Sequence, residues 1–368
     1  MQLRKILAPI LAVALLVGIG GAIYVSSTRK LENDAAQAAA KAVVQVRGMI
    51  GSEKETYFLD PRVQARLKQL GFTVTVDKVG SREISARKLD GYDFGFPAGA
   101  PAAITLQKAA NARQVYQPFF TPMAIASWKT LVPVLEHAGL VRTENGTHYI
   151  IDMDRLMRLI AQGKRWNDLP DNTVFNTSKS ILVSSTDVRK SNSGAMYLAL
   201  ASYVLNDSNI VNTQADADRL LPALSGLFLR QGLQESSSAG PFEDYTTMGI
   251  GKAPMVMIYE SQFLEYQSKR ATPNTDMVLL YPRPTLYTKH TLVPFTEAGQ
   301  RLGEALAQDP ELQALAVQFG YRTADNGKFT SFLADRKLSA PDVLVDVVDP
   351  PSYETLEYLI QGIERQFN

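Results

Sequence analysis

Short apolar strands alternate with helices in the first part of the sequence, and this alternation limits the folds that the chain can adopt. Strands are predicted at 43–49, 72–76 and 92–96, where β-branched and aromatic residues are concentrated. Asp60–Pro61 begins a helix, because Asp accepts hydrogen bonds from free N–H groups and Pro suits the first helical position. A further helix is predicted to begin at Gly80–Arg82. The pattern predicts an α/β fold with a parallel sheet covered by helices.

A second α/β region follows the apolar segment 117–128, whose Pro118 and Pro122 suit a connection between domains. Its predicted elements are a strand at 181–184, a helix at 195–205 and a strand at 255–258, and an extended segment at 285–294 follows them. The prolines around Pro282–Pro284 suit a second crossing back to the first region.

The chain is long enough for two domains. About 340 residues follow the N-terminal apolar run, which is more than one hydrophobic core normally serves. We expect lobe 1 at 43–123, lobe 2 at 124–284, a return to lobe 1 at 285–323 and a C-terminal extension at 324–368.

Residues 1–30 contain an uncharged run, Ile6–Val25, that is about 20 residues long and therefore long enough to cross a bilayer as a helix. Basic residues precede it, as in a secretory signal, but Ile23 and Tyr24 stand where a cleavage site needs small residues. We expect a single-pass anchor in the inner membrane with the N-terminus inside, and a cleaved signal is the alternative. Both place the rest of the chain in the periplasm or outside the cell.

The composition excludes several chemistries. The chain has no cysteine, so disulfides, thiolate nucleophiles and cysteine-zinc sites are ruled out. Its net charge is +1, which gives no electrostatic reason to expect a nucleic-acid partner.

Five turns lie between a predicted strand and the element that follows, which is where open α/β sheets bind ligands. They are Gly51-Ser52-Glu53-Lys54, Gly80-Ser81-Arg82, Pro97-Ala98-Gly99, Ser191-Asn192-Ser193-Gly194 and Tyr259-Glu260-Ser261. Small hydroxyl residues beside glycine let backbone N–H groups approach a ligand, and the positive end of a helix favours an anion. Serine and glycine are also ordinary helix caps, and this alternative stays open for any single turn.

These turns, in this order, make the sequence similar to the type 2 periplasmic solute-binding superfamily, in particular its oxyanion-binding branch for phosphate, sulfate, molybdate and tungstate. The likeness spans 43–323 and includes the segments 92–97 and 319–322. It rests on the order and spacing of the units, since no single motif in it is diagnostic. The resemblance implies a two-lobed α/β fold of the periplasmic-binding-protein type, joined by two crossing strands and closing over its ligand.

The candidate ligand-binding residues all belong to the five turns. They are Ser52, Glu53, Lys54, Ser81, Arg82, Pro97, Ser191, Asn192, Ser193, Gly194, Tyr259 and Glu260. The resemblance implies that the serines supply the hydrogen bonds. Glu53 and Glu260 would repel a dianion unless the ligand carries a proton, the acid pairs with Lys54 or Arg189, or the acid points outward. Arg82 would add positive charge to the cleft, or would lie at the surface.

The sequence gives little support for an enzymatic function. His137, His148 and His290 are the available imidazole bases, and none shares a recognisable motif with a nucleophilic serine. Asp152-Met153-Asp154 is interpreted as a helix cap, and no residue spacing suggests a metal site or a cofactor loop. An exported hydrolase using Ser191 or Ser193 is the weakest hypothesis.

The C-terminal extension carries an apolar stripe at helical spacing. Its members are Tyr353, Leu356, Leu359, Ile360, Ile363 and Phe367. We expect the stripe to pack on the body of the protein, with docking on a partner as the alternative.

Together these features predict a membrane-tethered, extracytoplasmic solute-binding protein that closes two lobes over a small oxyanion for transport or sensing. Its expected partners are the ligand and an ABC transporter permease or another inner-membrane complex, with no nucleic acid, metal or cofactor. The alternative is a ligand-free interaction module of an envelope complex built on the same fold.

Overall fold

The computed structural model describes residues 43–232 and 234–367. Within them the strands are β1 (Val44–Ile50), β2 (Phe72–Lys78), β3 (Phe94–Phe96), β4 (Tyr116–Trp128), β5 (Val141–Glu144), β6 (His148–Asp152), β7 (Val256–Tyr259), β8 (Met277–Arg283) and β9 (Tyr287–Pro294). The α-helices are α1 (Glu55–Leu59), α2 (Pro61–Gln69), α3 (Ala100–Ala110), α4 (Val132–His137), α5 (Met153–Ala161), α6 (Asn192–Leu205), α7 (Gln214–Leu229), α8 (Ala239–Met248), α9 (Glu260–Ser268), α10 (Glu297–Gln308), α11 (Pro310–Gln318), α12 (Asn326–Arg336) and α13 (Tyr353–Glu364).

The strands form a mixed sheet rather than the parallel sheet that the alternation predicts. Their order is β2-β1-β3-β9-β4-β8-β6-β5, with β7 also paired to β4. Parallel pairs join β1 to β2 and β3, and β6 to β8. β4 is antiparallel to β7, β8 and β9, and β9 is antiparallel to β3.

β4 crosses from one part of the sheet to the other. Its segment 116–122 pairs with β9, whereas 123–128 pairs with β7 and β8. We call β1, β2 and β3 with the helices packed on them the first half, and β5 to β8 with their helices the second half. The predicted connection at 117–128 is therefore a strand. Pro118 lies in a register irregularity between Tyr116 and Phe119, whereas Pro122 pairs regularly with Tyr287.

The two halves have separate hydrophobic cores. In the first half, Val46 and Ile50 of β1 pack with Leu302 of α10 and Leu312 of α11. In the second half, α6 is buried on nearly all sides and packs with residues of α5 and α7. The structure thus shows two cores. The lobe boundaries at 123, 284 and 323 stay predictions, because they concern which residues move together.

Two predicted helix caps are confirmed, whereas one predicted helix and one predicted strand are wrong. Asp60 and Asp152 cap α2 and α5 and accept hydrogen bonds from backbone N–H groups, as predicted. The helix predicted at Gly80–Arg82 is wrong: the segment is a turn followed by a short 3-10 helix at Ile84–Ala86. The segment 181–184 is not a strand, because it pairs with β7 through Ser184 alone.

The C-terminal stripe packs on the protein itself, as expected. Leu356, Leu359, Ile360 and Ile363 of α13 are buried in the core of the second half. The predicted anchor at 6–25 lies outside the described residues. Between 43 and 367, none of the described helices has the length and apolar character needed to span a bilayer.

Candidate functional site

Loops from the two halves meet at the N-terminus of α6. A Cβ built on Gly99 would lie 2.1 Å from Oδ1 of Asn192, and one built on Gly80 would lie 2.9 Å from the backbone oxygen of Lys190. The Arg82 N–H donates to that same oxygen at 3.4 Å. Glycine at 80 and 99 thus allows the loops of the first half to approach the second half closely, because a side chain there would force its neighbours to shift.

The first turn of α6 is buried but is not capped by a side chain. Asn192, Ser193 and Gly194 are buried, and the Ser191 side chain makes no capping hydrogen bond. The hydroxyls bond to each other instead: Ser193 Oγ lies 2.9 Å from both Ser191 Oγ and Thr186 Oγ1. The N-terminus of α6, which is the positive end of the helix dipole, lies where Asn192 contacts Gly99 of the first half.

The serines of the first half lie at the same junction but in different contacts. Ser81 Oγ accepts a hydrogen bond from Ala98 N at 3.1 Å, so it lies beside Gly99 and close to α6. Ser52 Oγ shares a hydrogen bond of 2.6 Å with Ser237 Oγ of the second half. Pro97 is buried, and its carbonyl accepts from Thr291 N at 3.3 Å.

A charged cluster is buried between the halves. Lys54 forms an ion pair with Glu53, and both side chains are almost completely buried. Nδ1 of His290, from β9, lies 3.2 Å from Lys54 Nζ and 3.5 Å from Glu53 Oε1. Tyr321 donates to the Glu53 carbonyl oxygen at 2.6 Å. The cluster therefore ties the loop after β1 to the crossing strand β9.

The charges of this cluster follow from burial and from one another. Burial would raise the pKa of Glu53, but the Lys54 ammonium and His290 outweigh it and lower that pKa to about 2. Burial, together with the charge of Lys54, lowers the pKa of His290 to about 4. His290 is thus neutral at pH 7. Its Nε2 is buried and has no hydrogen-bond partner among the described residues.

The second predicted acid, Glu260, is also paired. The Arg322 guanidinium donates to both carboxylate oxygens, at 2.7 and 2.8 Å, and Tyr281 Oη donates at 2.8 Å. Its neighbour Tyr259 lies at the junction, where its hydroxyl accepts from Asn192 Nδ2 at 3.1 Å. Both glutamates thus follow the ion-pair alternative, although Glu260 pairs with an arginine that the sequence did not suggest.

The arginines near the junction have other partners. Arg82 donates to Glu357 Oε1 at 2.5 Å and to the Arg189 carbonyl oxygen at 3.2 Å. Arg189 is bound to Asp187 through its Nε and Nη2 atoms. Arg82 is therefore held by α13 at the edge of the junction.

Sequence reasoning missed the central position of His290. Its ring is fully buried, with its centroid 5.2 Å from that of Tyr321, 5.5 Å from Phe119 and 5.9 Å from Tyr259. A lone histidine in an extended segment has no local signature. The usable signal was the alternation in β9, where Thr288, His290 and Leu292 all point to one buried face.

Comparison with solved structures identifies the fold. A periplasmic thiamin binding protein matches with a TM-score of 0.56 at 10% identity, covering 88% of this chain and 96% of its own. The apo ferric ion-binding protein A of Pasteurella haemolytica has a TM-score of 0.54 at 10% identity, covering 87% and 97%. Iron-bound HitA of Pseudomonas aeruginosa has a TM-score of 0.53 at 12% identity, covering 88% and 99%. No family model and no curated protein matches the sequence.

The chain thus has the mixed α/β fold of the type 2 periplasmic binding proteins, as the sequence resemblance predicts. Because the identities are so low, the likeness establishes the fold and leaves the ligand to be argued from the residues.

Proposed function

We propose that this protein is an extracytoplasmic solute-binding protein whose two halves close over a small oxyanion. The observation that carries the proposal is the uncapped, buried N-terminus of α6, placed against the loops of the first half that contain Gly80 and Gly99. Backbone N–H groups and serine hydroxyls at such a position can bind an anion without a basic side chain. The ligand would lie among Ser81, Gly99 and Ser191–Gly194.

The proposal includes a membrane tether. The apolar run at 6–25 is long enough to hold the exported body at the inner membrane. A binding protein held there would deliver ligand to an ABC transporter permease or report it to a sensor complex.

A second function is favoured by one observation. The centre of the junction contains an internal ion pair, Glu53 with Lys54, and neutral His290. An internal pair supplies the charge partner that a bound ion would otherwise provide. The alternative is therefore an interaction module that keeps the binding-protein fold and binds no small solute.

Native mass spectrometry of the full chain released from detergent, combined with thermal unfolding, separates the two functions. Phosphate, sulfate and molybdate are added one at a time, with chloride at equal ionic strength as the control. A bound mass and a raised melting temperature with one oxyanion support the binding protein. Equal melting temperatures in all four salts, with no bound mass, contradict it and favour the module. Ferric ion and thiamin serve as further probes for ligands of a different class.

A further inference from the structure

The C-terminal segment contacts both the connection between the halves and the halves themselves. Arg322 donates to the backbone oxygens of Pro341 and Asp342 at 2.7 and 3.0 Å. Thr285, between β8 and β9, exchanges backbone hydrogen bonds with this segment: its N–H donates to Asp346 O, and Val348 N donates to Thr285 O. The chain is thus directed past the crossing strands before it forms α13.

One face of α13 belongs to the second half. Its apolar side chains are buried in the core that contains α6 and α7. Gly362 approaches α7 so closely that a Cβ there would lie 2.4 Å from Cδ2 of Leu221. Tyr358 Oη donates to Asp218 of α7 at 2.5 Å. When the second half moves, α13 moves with it.

The other face of α13 reaches the first half. Glu357 accepts from Arg82, and the two side chains are only 20% and 11% exposed. Glu354 lies 4.0 Å from Lys108 of α3, a helix whose Ala103 and Leu106 pack with Met49 of β1. Both ion pairs therefore join α13 to the first half, on the side of the junction where Arg82 meets the 189–190 loop.

We propose that α13, through Glu357 and Glu354, is a latch that holds the two halves together. Separation of the halves must break the Arg82–Glu357 pair, because α13 stays with the second half. A charge-assisted bond between an arginine and a carboxylate that are largely shielded from water is stronger than a fully exposed ion pair. The latch thus adds to the stability of the closed form. The inference rests on the proposed opening and closing, but not on the identity of any ligand.

α13 contains a matched control. Glu364 also pairs with an arginine, Arg189, at 3.9 Å. Arg189 belongs to the second half, as α13 does, so this pair does not join the two halves. Removing Glu364 deletes a carboxylate from the same helix and leaves the carboxylates of Glu357 and Glu354 in place.

Hydrogen exchange of the full chain, without added ligand, tests the latch. The amides of Asn192–Gly194 lie buried at the contact between the halves and exchange when the halves separate, so their rate follows the open population. The Ser191 amide is left out, because it donates to Asp187 O within the second half. In Glu357→Ala we expect this rate to rise roughly fivefold, the change in an equilibrium that about 1 kcal/mol produces. In Glu364→Ala the rate should stay at the wild-type value. The amides of Met49–Ile50, inside the first half, should be unchanged in both variants.

Three outcomes would overturn the latch. They are an unchanged rate at Asn192–Gly194 in Glu357→Ala, an equal rise in Glu364→Ala, and a rise at Met49–Ile50 as large as that at Asn192–Gly194. The last would mean that the substitution weakens the whole fold. Because no solute is added, a protein that binds no oxyanion can still pass this test.

Discussion

At the scale of single residues, the start of α6 offers neutral donors rather than charged ones. Ser193 Oγ lies among two other hydroxyls at the start of α6, and the nearby arginines are bound to Glu357 and Asp187. An oxyanion held there would be recognised by hydrogen bonds whose strength changes little with ionic strength.

Ser193→Ala tests this directly. A side-chain hydrogen bond to a charged ligand contributes roughly 1.5–3 kcal/mol, so the variant should bind the oxyanion about ten- to a hundredfold more weakly. Calorimetric titration at two salt concentrations measures the loss, which should be the same at both. Unchanged binding in Ser193→Ala, with binding lost in Glu260→Ala, would contradict the model of an anion held at the helix terminus.

His290 should make the protein sensitive to acid. Its pKa falls from the ordinary 6.5 to about 4 in the folded protein, so the unfolded chain binds more protons between these values. The contribution of His290 to the free energy of unfolding is therefore fully present above pH 6.5. The free energy of unfolding should fall by about 3 kcal/mol as the pH decreases from 6.5 to 4. Glu53 acts in the same direction between pH 4.5 and about 2. Urea unfolding at pH 7 and pH 4 measures the difference.

The control for this prediction is another histidine. His137 is exposed at the end of α4, so His137→Gln should keep the acid sensitivity between pH 6.5 and 4. His290→Gln should remove that sensitivity. An equal loss of stability in both variants would show that other groups carry the pH dependence.

At the scale of elements, two helical glycines show how closely each helix is packed. Gly226 lies inside α7, and a Cβ there would meet no atom within 4 Å. Gly299 lies in the first turn of α10, where a Cβ would be 2.0 Å from the carbonyl oxygen of Asp93. That oxygen is fixed, since it accepts from Phe295 N and Thr296 N.

Alanine should therefore have opposite effects at these two positions. Gly226→Ala should raise the free energy of unfolding by roughly 0.5–1 kcal/mol, because alanine loses less backbone entropy in a helix. Gly299→Ala should lower it by roughly 1–3 kcal/mol, because the backbone must shift. Chemical denaturation of both variants beside the wild type checks the signs. A stabilising Gly299→Ala would mean that α10 can move away from Asp93.

The outcome of sequence analysis at this scale depended on whether a signal was local. The starts of α2 and α5 were found because an aspartate cap is written into adjacent residues. The segment of β4 was interpreted as a connection between domains because of Pro118 and Pro122, and its pairing with β9 and β8 makes that connection part of the sheet. The pair of Glu260 with Arg322 joins residues far apart in sequence, so no local pattern announced it.

At the scale of the whole molecule, the fold was predictable and the content of the junction was not. The order of strand-loop-helix units was enough to indicate a periplasmic binding-protein fold. The contacts of Glu53 and Lys54 with His290 depend on how β1 and β9 lie in one sheet, which only the tertiary structure shows. The serine turns and the charged cluster are therefore neighbours that the sequence presents as unrelated segments.

The path of β9 also determines when the first half can fold during synthesis. β3 takes one neighbour from β1 and the other from β9, and the core of the first half includes Leu292 and residues of α10 and α11. A chain synthesised from its N-terminus presents β1, β2 and β3 first, yet their missing partners emerge only after the entire second half. The early segment must therefore wait, with its apolar faces uncovered, until the residues up to Tyr321 have been made. We conclude that the second half completes most of its core before the first half can close its own.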